Sequence, residues 1–271
     1  MKRTDLYPYD TGYTPWVVSR FNPRFSWALY VPKTLPDDTP APLLVLIHGS
    51  TRQDTFREGF RDYAERTGTV LLTPLFPING AEPGDVHGYK RMDGHGLRYD
   101  LLLLDMIDEA GSIWNLKTDR FAMHGYSGGG QYVHRFMLLH PERLSAASIG
   151  APGSITLPDP AHSWPSGIQD MEARFGKSFD AAALAKVPVH CVIGADDTQV
   201  WEIARTPDDP LYLSGVNDEK TNRRAKLKLL DDAFSGLGCS TRHDAVDGVV
   251  HDEHAMFPFV IAWLDEVLPK S

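Results

Sequence analysis

The sequence predicts an α/β protein with a mostly parallel central sheet and helices on both faces. Apolar runs of strand length, Leu43–Ile47 and Val70–Leu75, alternate along the chain with segments of helical spacing such as residues 98–114. Continuous apolar runs are typical of strands buried on both faces, and alternation with helices is typical of parallel sheets with right-handed crossovers. The 271 residues are expected to form a single domain, residues 1–271, because one α/β domain commonly has this length.

Further strands and helices are predicted in the same alternating order. Strands are expected at residues 17–21, 25–31, 119–124, 144–149, 187–194 and 243–246. Helices are expected at residues 56–67, 131–140, 217–234 and 254–268, with Asn217 as the N-cap of the third. The first two strands predict an antiparallel edge of the sheet. Residues 153–186 form a long interruption that is rich in proline and aromatic residues, and they are a candidate lid over the carboxyl ends of the strands.

The chain is acidic, with a formal net charge of -9. This charge disfavours a nucleic acid or an anionic membrane as a partner, since both require a basic surface. Lysine and arginine are scattered, apart from Arg223-Arg224-Ala225-Lys226, which is interpreted as a solvated helix face. The two cysteines, Cys191 and Cys239, stand in no metal-ligand spacing, so no metal or other cofactor is predicted. The sequence does not indicate an oligomeric state.

The N-terminus and the hydropathy pattern predict a cytoplasmic protein. Met1-Lys2-Arg3 is followed by no apolar segment, so no signal peptide is predicted. No run approaches the length of about 18 apolar residues that a membrane helix needs.

The motif that carries most of the functional prediction is Gly125-Tyr126-Ser127-Gly128-Gly129. It follows a predicted strand and precedes a predicted helix, which is the context of a nucleophile elbow. Glycines flank the serine two residues away on each side because the turn is too tight for bulky neighbours. The free N–H groups at the start of the following helix favour a developing negative charge. Ser127 is therefore the predicted nucleophile.

A serine nucleophile needs a histidine base and an acid that orients it, and in this context they follow the serine in the order acid, histidine. Asp196 and Asp197 lie directly after a predicted buried strand, and Asp197 is favoured over Asp196. His251 and His254 lie between the last strand and the last helix. His251 is favoured because it lies in the loop itself, whereas His254 is expected to begin the helix.

The segment His48-Gly49-Ser50 follows the Leu43–Ile47 strand and predicts an oxyanion hole. One donor is expected from the loop after this strand and another from the residue after the nucleophile, which nominates the backbone N–H groups of Ser50 and Gly128. The His48 side chain is expected to support the loop. His124, beside the elbow, is interpreted as a packed core histidine.

Taken in order, these segments resemble the α/β-hydrolase superfamily, and within it serine esterases of the polyhydroxybutyrate-depolymerase and feruloyl-esterase type. The resemblance covers residues 24–271 and implies the α/β-hydrolase fold. It also implies an acid three residues after Gly194, which supports Asp197, and a histidine just before the last helix, which supports His251. Residues 153–186 and 201–217 match nothing in the family pattern, so substrate choice is expected to reside there.

The resulting hypothesis is a serine esterase that cleaves carboxylic esters through an acyl-enzyme on Ser127, without a cofactor. Its partner is then a small or oligomeric ester, with neither nucleic acid nor membrane involved. Amide or peptide hydrolysis on the same triad, or a catalytically silent binding protein of the same fold, are the alternatives. Three aromatic residues are candidates for substrate contact: Trp164, Trp201 and Tyr126.

Overall fold

The structure is a computed structural model that describes residues 10–33, 35, 39–209 and 211–268. The N-terminal segment on which the absence of a signal peptide is predicted lies outside these residues, so the cytoplasmic location stays a prediction. Among the described residues, no helix is both long enough and apolar enough to cross a membrane.

Nine strands of the described chain form one sheet, and two short strands form a separate ribbon. In chain order the strands are β1 (Gly12–Tyr13), β2 (Val17–Val18), β3 (Ser26–Val31), β4 (Leu43–Ile47), β5 (Val70–Leu75), β6 (Asp93–Gly94), β7 (Leu97–Arg98), β8 (Phe121–Tyr126), β9 (Leu144–Gly150), β10 (Val189–Gly194) and β11 (Thr241–Val246). The order across the sheet is β1-β3-β5-β4-β8-β9-β10-β11, β2 pairs with β3, and β6 pairs with β7.

The sheet is parallel from β5 to β11 and antiparallel at its N-terminal edge, where β3 pairs with β5. This confirms the predicted mostly parallel sheet with an antiparallel edge. The central strands β4, β8 and β10 are buried at every residue, because helices cover both faces. The carboxyl ends of the parallel strands meet at one edge of the sheet, where the loops carry the candidate site.

Eight helices accompany the strands in the described residues. They are α1 (Phe56–Gly59), α2 (Arg61–Thr67), α3 (Tyr99–Gly111), α4 (Gly128–Leu139), α5 (Met171–Phe175), α6 (Ala181–Leu184), α7 (Arg223–Gly236) and α8 (Phe257–Val267). Side chains of β8 show that helices lie on both faces of the sheet. Phe121 packs against Phe136 of α4, whereas His124 packs against Phe56 of α1. Successive side chains of a strand point to opposite faces, so residues three apart do too.

Two helix predictions require correction. The single helix expected at residues 56–67 is divided at Phe60 into α1 and α2, although α2 ends before Gly68 as expected. The helix expected from Asn217 begins at Arg223. Its N-cap is Asn222, whose side chain accepts a hydrogen bond from Ala225 N at 3.0 Å. Asn217 instead folds the preceding loop, since its amide bonds to backbone groups of that loop.

Candidate active site

Ser127 lies on a sharp turn between β8 and α4, as the motif predicts. Its backbone adopts φ 55° and ψ -111°, a conformation that non-glycine residues rarely adopt. The turn is held by a hydrogen bond from Ser127 N to Gly150 O at 2.8 Å. The strained turn leaves Ser127 partly exposed between a buried strand and a buried helix.

The glycines on either side of Ser127 are required by close approach of the backbone. A Cβ on Gly125 would lie 2.5 Å from the carbonyl carbon of Gly129, and a Cβ on Gly129 would lie 2.1 Å from Ile47 O. Both distances are far below van der Waals contact. The reason that the sequence analysis gave for the two glycines is therefore confirmed.

His251 and Asp197 lie at the ends of neighbouring loops and meet beside the elbow. His251 Nδ1 lies 2.5 Å from Asp197 Oδ2. Asp197 is 2% exposed, and its other oxygen lies 3.3 Å from Arg223 Nη1. Because a carboxylate only accepts hydrogen bonds, Nδ1 carries the proton and Nε2 is left with a free lone pair.

His251 also contacts Tyr126 of the nucleophile elbow. The ring of His251 packs at a tilt of 39° against the ring of Tyr126, next to Ser127, with 4.9 Å between the ring centroids. The Ser127 hydroxyl makes no hydrogen bond to any described residue. Hydrogen bonds between catalytic groups are often long without substrate and shorten when it binds.

The two alternatives from the sequence lie in different surroundings. Asp196 is exposed and makes no ion pair in the described part of the chain. The His254 side chain is 61% exposed, begins a short helical turn, and packs its ring against Phe257. The structure thus brings His251 together with Asp197, and it leaves Asp196 and His254 outside this hydrogen-bonded pair.

The two predicted oxyanion donors face each other across the elbow. A Cβ on Gly128 would lie 3.1 Å from Ser50 N. Gly128 is the first residue of α4, so its N–H has no partner within the helix. Ser50 N donates to no backbone carbonyl among the described residues.

His48 supports the loop that carries Ser50. Phe76 N donates to His48 Nε2 at 3.0 Å, so the proton is on Nδ1, which lies 2.8 Å from Gly49 O. Burial lowers the pKa of His48 to about 4, and the ring is therefore neutral at physiological pH. His124 is likewise buried and neutral, with its pKa lowered by burial to about 3.

A cavity of about 390 Å³ opens beside Ser127 and Ser50. Its wall contains five cationic side chains, although the chain as a whole is acidic: Lys90, Arg91, Arg135, Arg205 and Arg223. Two carboxylates, Glu202 and Asp209, accompany them. The segments 153–186 and 201–217, which match no family pattern, both contribute to this wall.

The interpretation of residues 223–226 as a solvated helix face is wrong. Arg223 is 5% exposed and Lys226 is fully buried, whereas Arg224 is exposed. Residues three apart in a helix share a face, and this face of α7 is directed at the candidate site. Lys226 Nζ donates to Gly153 O at 2.9 Å and to Ile203 O at 3.1 Å, which ties together the two segments of the wall.

The three aromatic candidates for substrate contact occupy different places. Trp164 is buried, does not line the cavity, and donates from Nε1 to Arg91 O at 2.7 Å. Trp201 is 74% exposed. Tyr126 is buried under His251. Trp164 therefore positions a residue of the wall.

Four cationic residues of the cavity were not singled out from the sequence: Lys90, Arg91, Arg135 and Arg205, although Arg205 lies in the segment 201–217 that was expected to govern substrate choice. Arg135 had a readable signal, because Ser127, Gln131 and Arg135 are four residues apart and share one helix face. Lys90 and Arg91 lie in a short 3₁₀ helix, Tyr89–Arg91, between β5 and β6, and have no sequence motif of their own.

Two other clusters of polar side chains lie outside the cavity. Ser148, His190 and Asp244 form a hydrogen-bonded chain, with 3.2 Å from Ser148 Oγ to His190 Nδ1. Ser148 is fully buried in β9, so no substrate reaches it. Donor atoms of Cys191, Asp231 and His243 lie within 4.8 Å of one another, and these are the described residues grouped closely enough to suggest a metal.

The topology and the elbow define the chain as a protein of the α/β-hydrolase fold. Solved structures with this fold are similar over nearly the whole chain. A poly(3-hydroxybutyrate) depolymerase, LpqC from Bordetella parapertussis, is 21% identical with a TM-score of 0.73, covering 96% of this chain and 93% of that one. Poly(aspartic acid) hydrolase-1 from Sphingomonas sp. KT-1 is 23% identical with a TM-score of 0.69, covering 88% and 92%.

Similarity in sequence is more limited. An uncharacterized carboxylesterase, nap, of Bacillus subtilis (strain 168) is 32% identical over 124 residues, which are 45% of this chain and 37% of that protein. The match thus spans little more than a third of that relative. No family model matches the chain.

Proposed function

We propose that the protein is a serine esterase that cleaves carboxylic esters through an acyl-enzyme on Ser127. The observation that carries the proposal is the His251–Asp197 hydrogen bond beside a strained serine elbow. This hydrogen bond leaves the Nε2 lone pair of His251 free to take the proton of the serine hydroxyl. The carboxylesterase relative and the depolymerase structure support the same class of reaction.

In the first half of the reaction, His251 Nε2 takes the proton of the Ser127 hydroxyl while Oγ attacks the ester carbonyl. The negative charge on the carbonyl oxygen is stabilised by the N–H groups of Ser50 and Gly128. Asp197 stabilises the imidazolium that forms, and Arg223 fixes the orientation of Asp197. The imidazolium then protonates the leaving alcohol.

In the second half, His251 removes a proton from water, which attacks the acyl-enzyme. The carboxylic acid is released, and the proton returns from His251 to Ser127 Oγ. Both halves use the same base and the same oxyanion donors, so one site serves both steps.

The proposal is tested with Ser127→Ala and the matched variant Ser148→Ala. Ser127→Ala is expected to lose hydrolysis of 4-nitrophenyl butyrate and labelling by a fluorophosphonate probe. Ser148→Ala is expected to keep both at a temperature where it is folded, because Ser148 is closed off in the core. Retention of full activity and labelling by a folded Ser127→Ala would overturn the proposal.

Amide hydrolysis on the same residues is the second candidate. It is favoured by the similarity to a poly(aspartic acid) hydrolase, whose polymer is joined by amide bonds. The two candidates are separated by comparing kcat/KM for a 4-nitroanilide with that for the 4-nitrophenyl ester of the same acid. A catalytically silent binding protein would turn over neither and would not label.

A further inference from the structure

The cationic side chains of the cavity differ in how their charge is balanced. Arg205 pairs with Asp209, and Arg223 pairs with Asp197 and Glu202. Within the described chain, the other three make no ion pair with a carboxylate: Lys90, Arg91 and Arg135. The cavity therefore holds an excess of positive charge inside an acidic protein.

Arg135 is the most buried of these three cations. It is fully buried and donates to Thr156 Oγ1 at 2.7 Å, Lys90 O at 2.6 Å and Ser154 Oγ at 2.9 Å. All three acceptors are neutral, so they satisfy its donors without cancelling its charge. A buried charge without a counter-charge is costly, and a bound anion would reduce that cost.

Lys90 and Arg91, the other two cations without a carboxylate partner in the described chain, lie in the cavity wall. Lys90 is 4% exposed, and its ammonium contacts His87 Nδ1 at 3.0 Å. Burial and nearby arginines lower the pKa of Lys90 to about 8, and burial lowers the pKa of His87 to about 4. At neutral pH the lysine is therefore mostly charged and its histidine partner is neutral. The Arg91 guanidinium donates to no described residue.

The excess charge lies next to the reacting centre. A Cβ on Gly128 would lie 3.0 Å from Lys90 Cε, so the lysine stem packs on the proposed oxyanion hole. On the side of Asp197, Arg223 Nε is buried without a hydrogen-bond partner among the described residues. Lys90 and Arg223 both line the cavity, so cationic side chains from two separate elements border it.

We infer that the substrate carries an oxyanion group, a carboxylate or a phosphate, in addition to the ester, and that Lys90 and Arg91 bind it. This inference rests on the proposed function, because it places the group in the cavity beside Ser127. Arg135 acts as a positioning residue, because its guanidinium donates to Lys90 O and so fixes the Lys90 backbone. Its buried charge also adds to the positive potential of the cavity. Arg205 and Arg223, whose charges are balanced by carboxylates, line the same cavity.

The substrate test compares esters that differ in charge. The probes are 4-nitrophenyl hexanoate, which is neutral, 4-nitrophenyl hemiadipate, with a carboxylate on the acyl side, and 3-carboxy-4-nitrophenyl hexanoate, with one on the leaving group. At least one charged ester is expected to exceed the neutral ester in kcat/KM by about tenfold or more. The ester that does so identifies the side of the scissile bond that faces the cations.

The residue test uses Arg91→Gln with Arg224→Gln as the matched control, since Arg224 is an exposed arginine on α7. Arg91→Gln is expected to lower kcat/KM for the preferred charged ester about ten- to hundredfold, because a charge-assisted hydrogen bond is lost. Its kcat/KM for 4-nitrophenyl hexanoate is expected to fall much less, so that the ratio between the charged and the neutral ester drops. Arg224→Gln is expected to match the unmodified protein on both esters.

Binding without turnover separates this inference from the proposed function. Titration calorimetry of Ser127→Ala with adipate and with phenyl phosphate is expected to show binding that Arg91→Gln weakens, and the tighter ligand identifies the oxyanion. Equal turnover of neutral and charged esters, no binding of either anion, or an Arg91→Gln variant that behaves like Arg224→Gln would each overturn the inference. If no ester is hydrolysed but adipate binds, the esterase proposal fails and the anion site stands.

Discussion

The elbow and the cavity beside it are neighbours in space but differ in how they are built. The elbow consists of backbone geometry: a residue with positive φ, glycines at close approach, and two N–H donors. The cavity is lined by long cationic side chains from the short 3₁₀ helix Tyr89–Arg91, from α4, from α7 and from the loop between β10 and α7. The backbone geometry of the elbow supplies chemistry that is common to a whole fold, whereas the side chains of the cavity select one substrate.

This contrast implies that changes at the elbow reduce turnover of every ester, whereas changes at Lys90 or Arg91 reduce turnover of charged esters more than that of neutral ones. A variant in one region that showed the pattern of losses expected for the other region would contradict this distinction. Three predictions examine it, and the largest effect is expected at the base.

Replacement of His251 by alanine is expected to lower kcat by about 10⁴-fold or more on neutral and charged esters alike, as removal of the base does in serine-histidine-acid triads. The control is His254→Ala, which changes a mostly exposed ring three residues after His251 in the chain and is expected to leave kcat unchanged. Steady-state kinetics on 4-nitrophenyl butyrate measures both. Loss in His254→Ala with retention in His251→Ala would transfer the role of base to His254.

Replacement of Gly128 by alanine is expected to cost about 10²–10³ in kcat on all esters, because it displaces one oxyanion donor. The new Cβ would meet Tyr89 Oη at 2.4 Å and Ser50 N at 3.1 Å. Gly236→Ala is the matched control, since nothing lies within 4 Å of a Cβ there. A Gly128→Ala protein with full activity would remove Gly128 from the proposed oxyanion hole.

The smallest effect is expected from the titration of Lys90. Its pKa is lowered to about 8 by burial and by Arg52, Arg135 and Arg91, against Glu202, which raises it. His87 is neutral in this range. The ammonium is charged below about pH 8 and neutral above it, so preference for the charged ester is retained at low pH and lost as pH rises.

The measured quantity is the ratio of kcat/KM for the preferred charged ester to that for 4-nitrophenyl hexanoate. It is expected to fall about three- to tenfold between about pH 6.5 and pH 9.5. In Lys90→Met the ratio is expected to be low at every pH. A ratio that stays constant in the unmodified protein would show that Lys90 does not contact the charged group.

The sequence predictions were most accurate for features that a local pattern of residues fixes. Leu43–Ile47 and Val70–Leu75 are strands with the predicted bounds, because runs of apolar residues fix a buried strand locally. The start of α7 was misplaced from Asn222 to Asn217, since both residues are suitable caps and only the hydrogen bonds that Asn217 makes within its own loop exclude it. The break at Phe60 follows directly after Gly59, a glycine that marked the end of α1 but was not used in predicting a single helix over residues 56–67.

The sequence by itself determined the fold class, the serine on its elbow, and the loops that supply an acid, a histidine and an oxyanion donor. These features are fixed by local rules of periodicity, turn geometry and chain order. Only the tertiary structure placed Asp197 against His251 and gathered Lys90, Arg91 and Arg135 around one cavity. Charges scattered along an acidic chain reveal a cationic site only when folding brings them together, because electrostatic energy depends on distance in space.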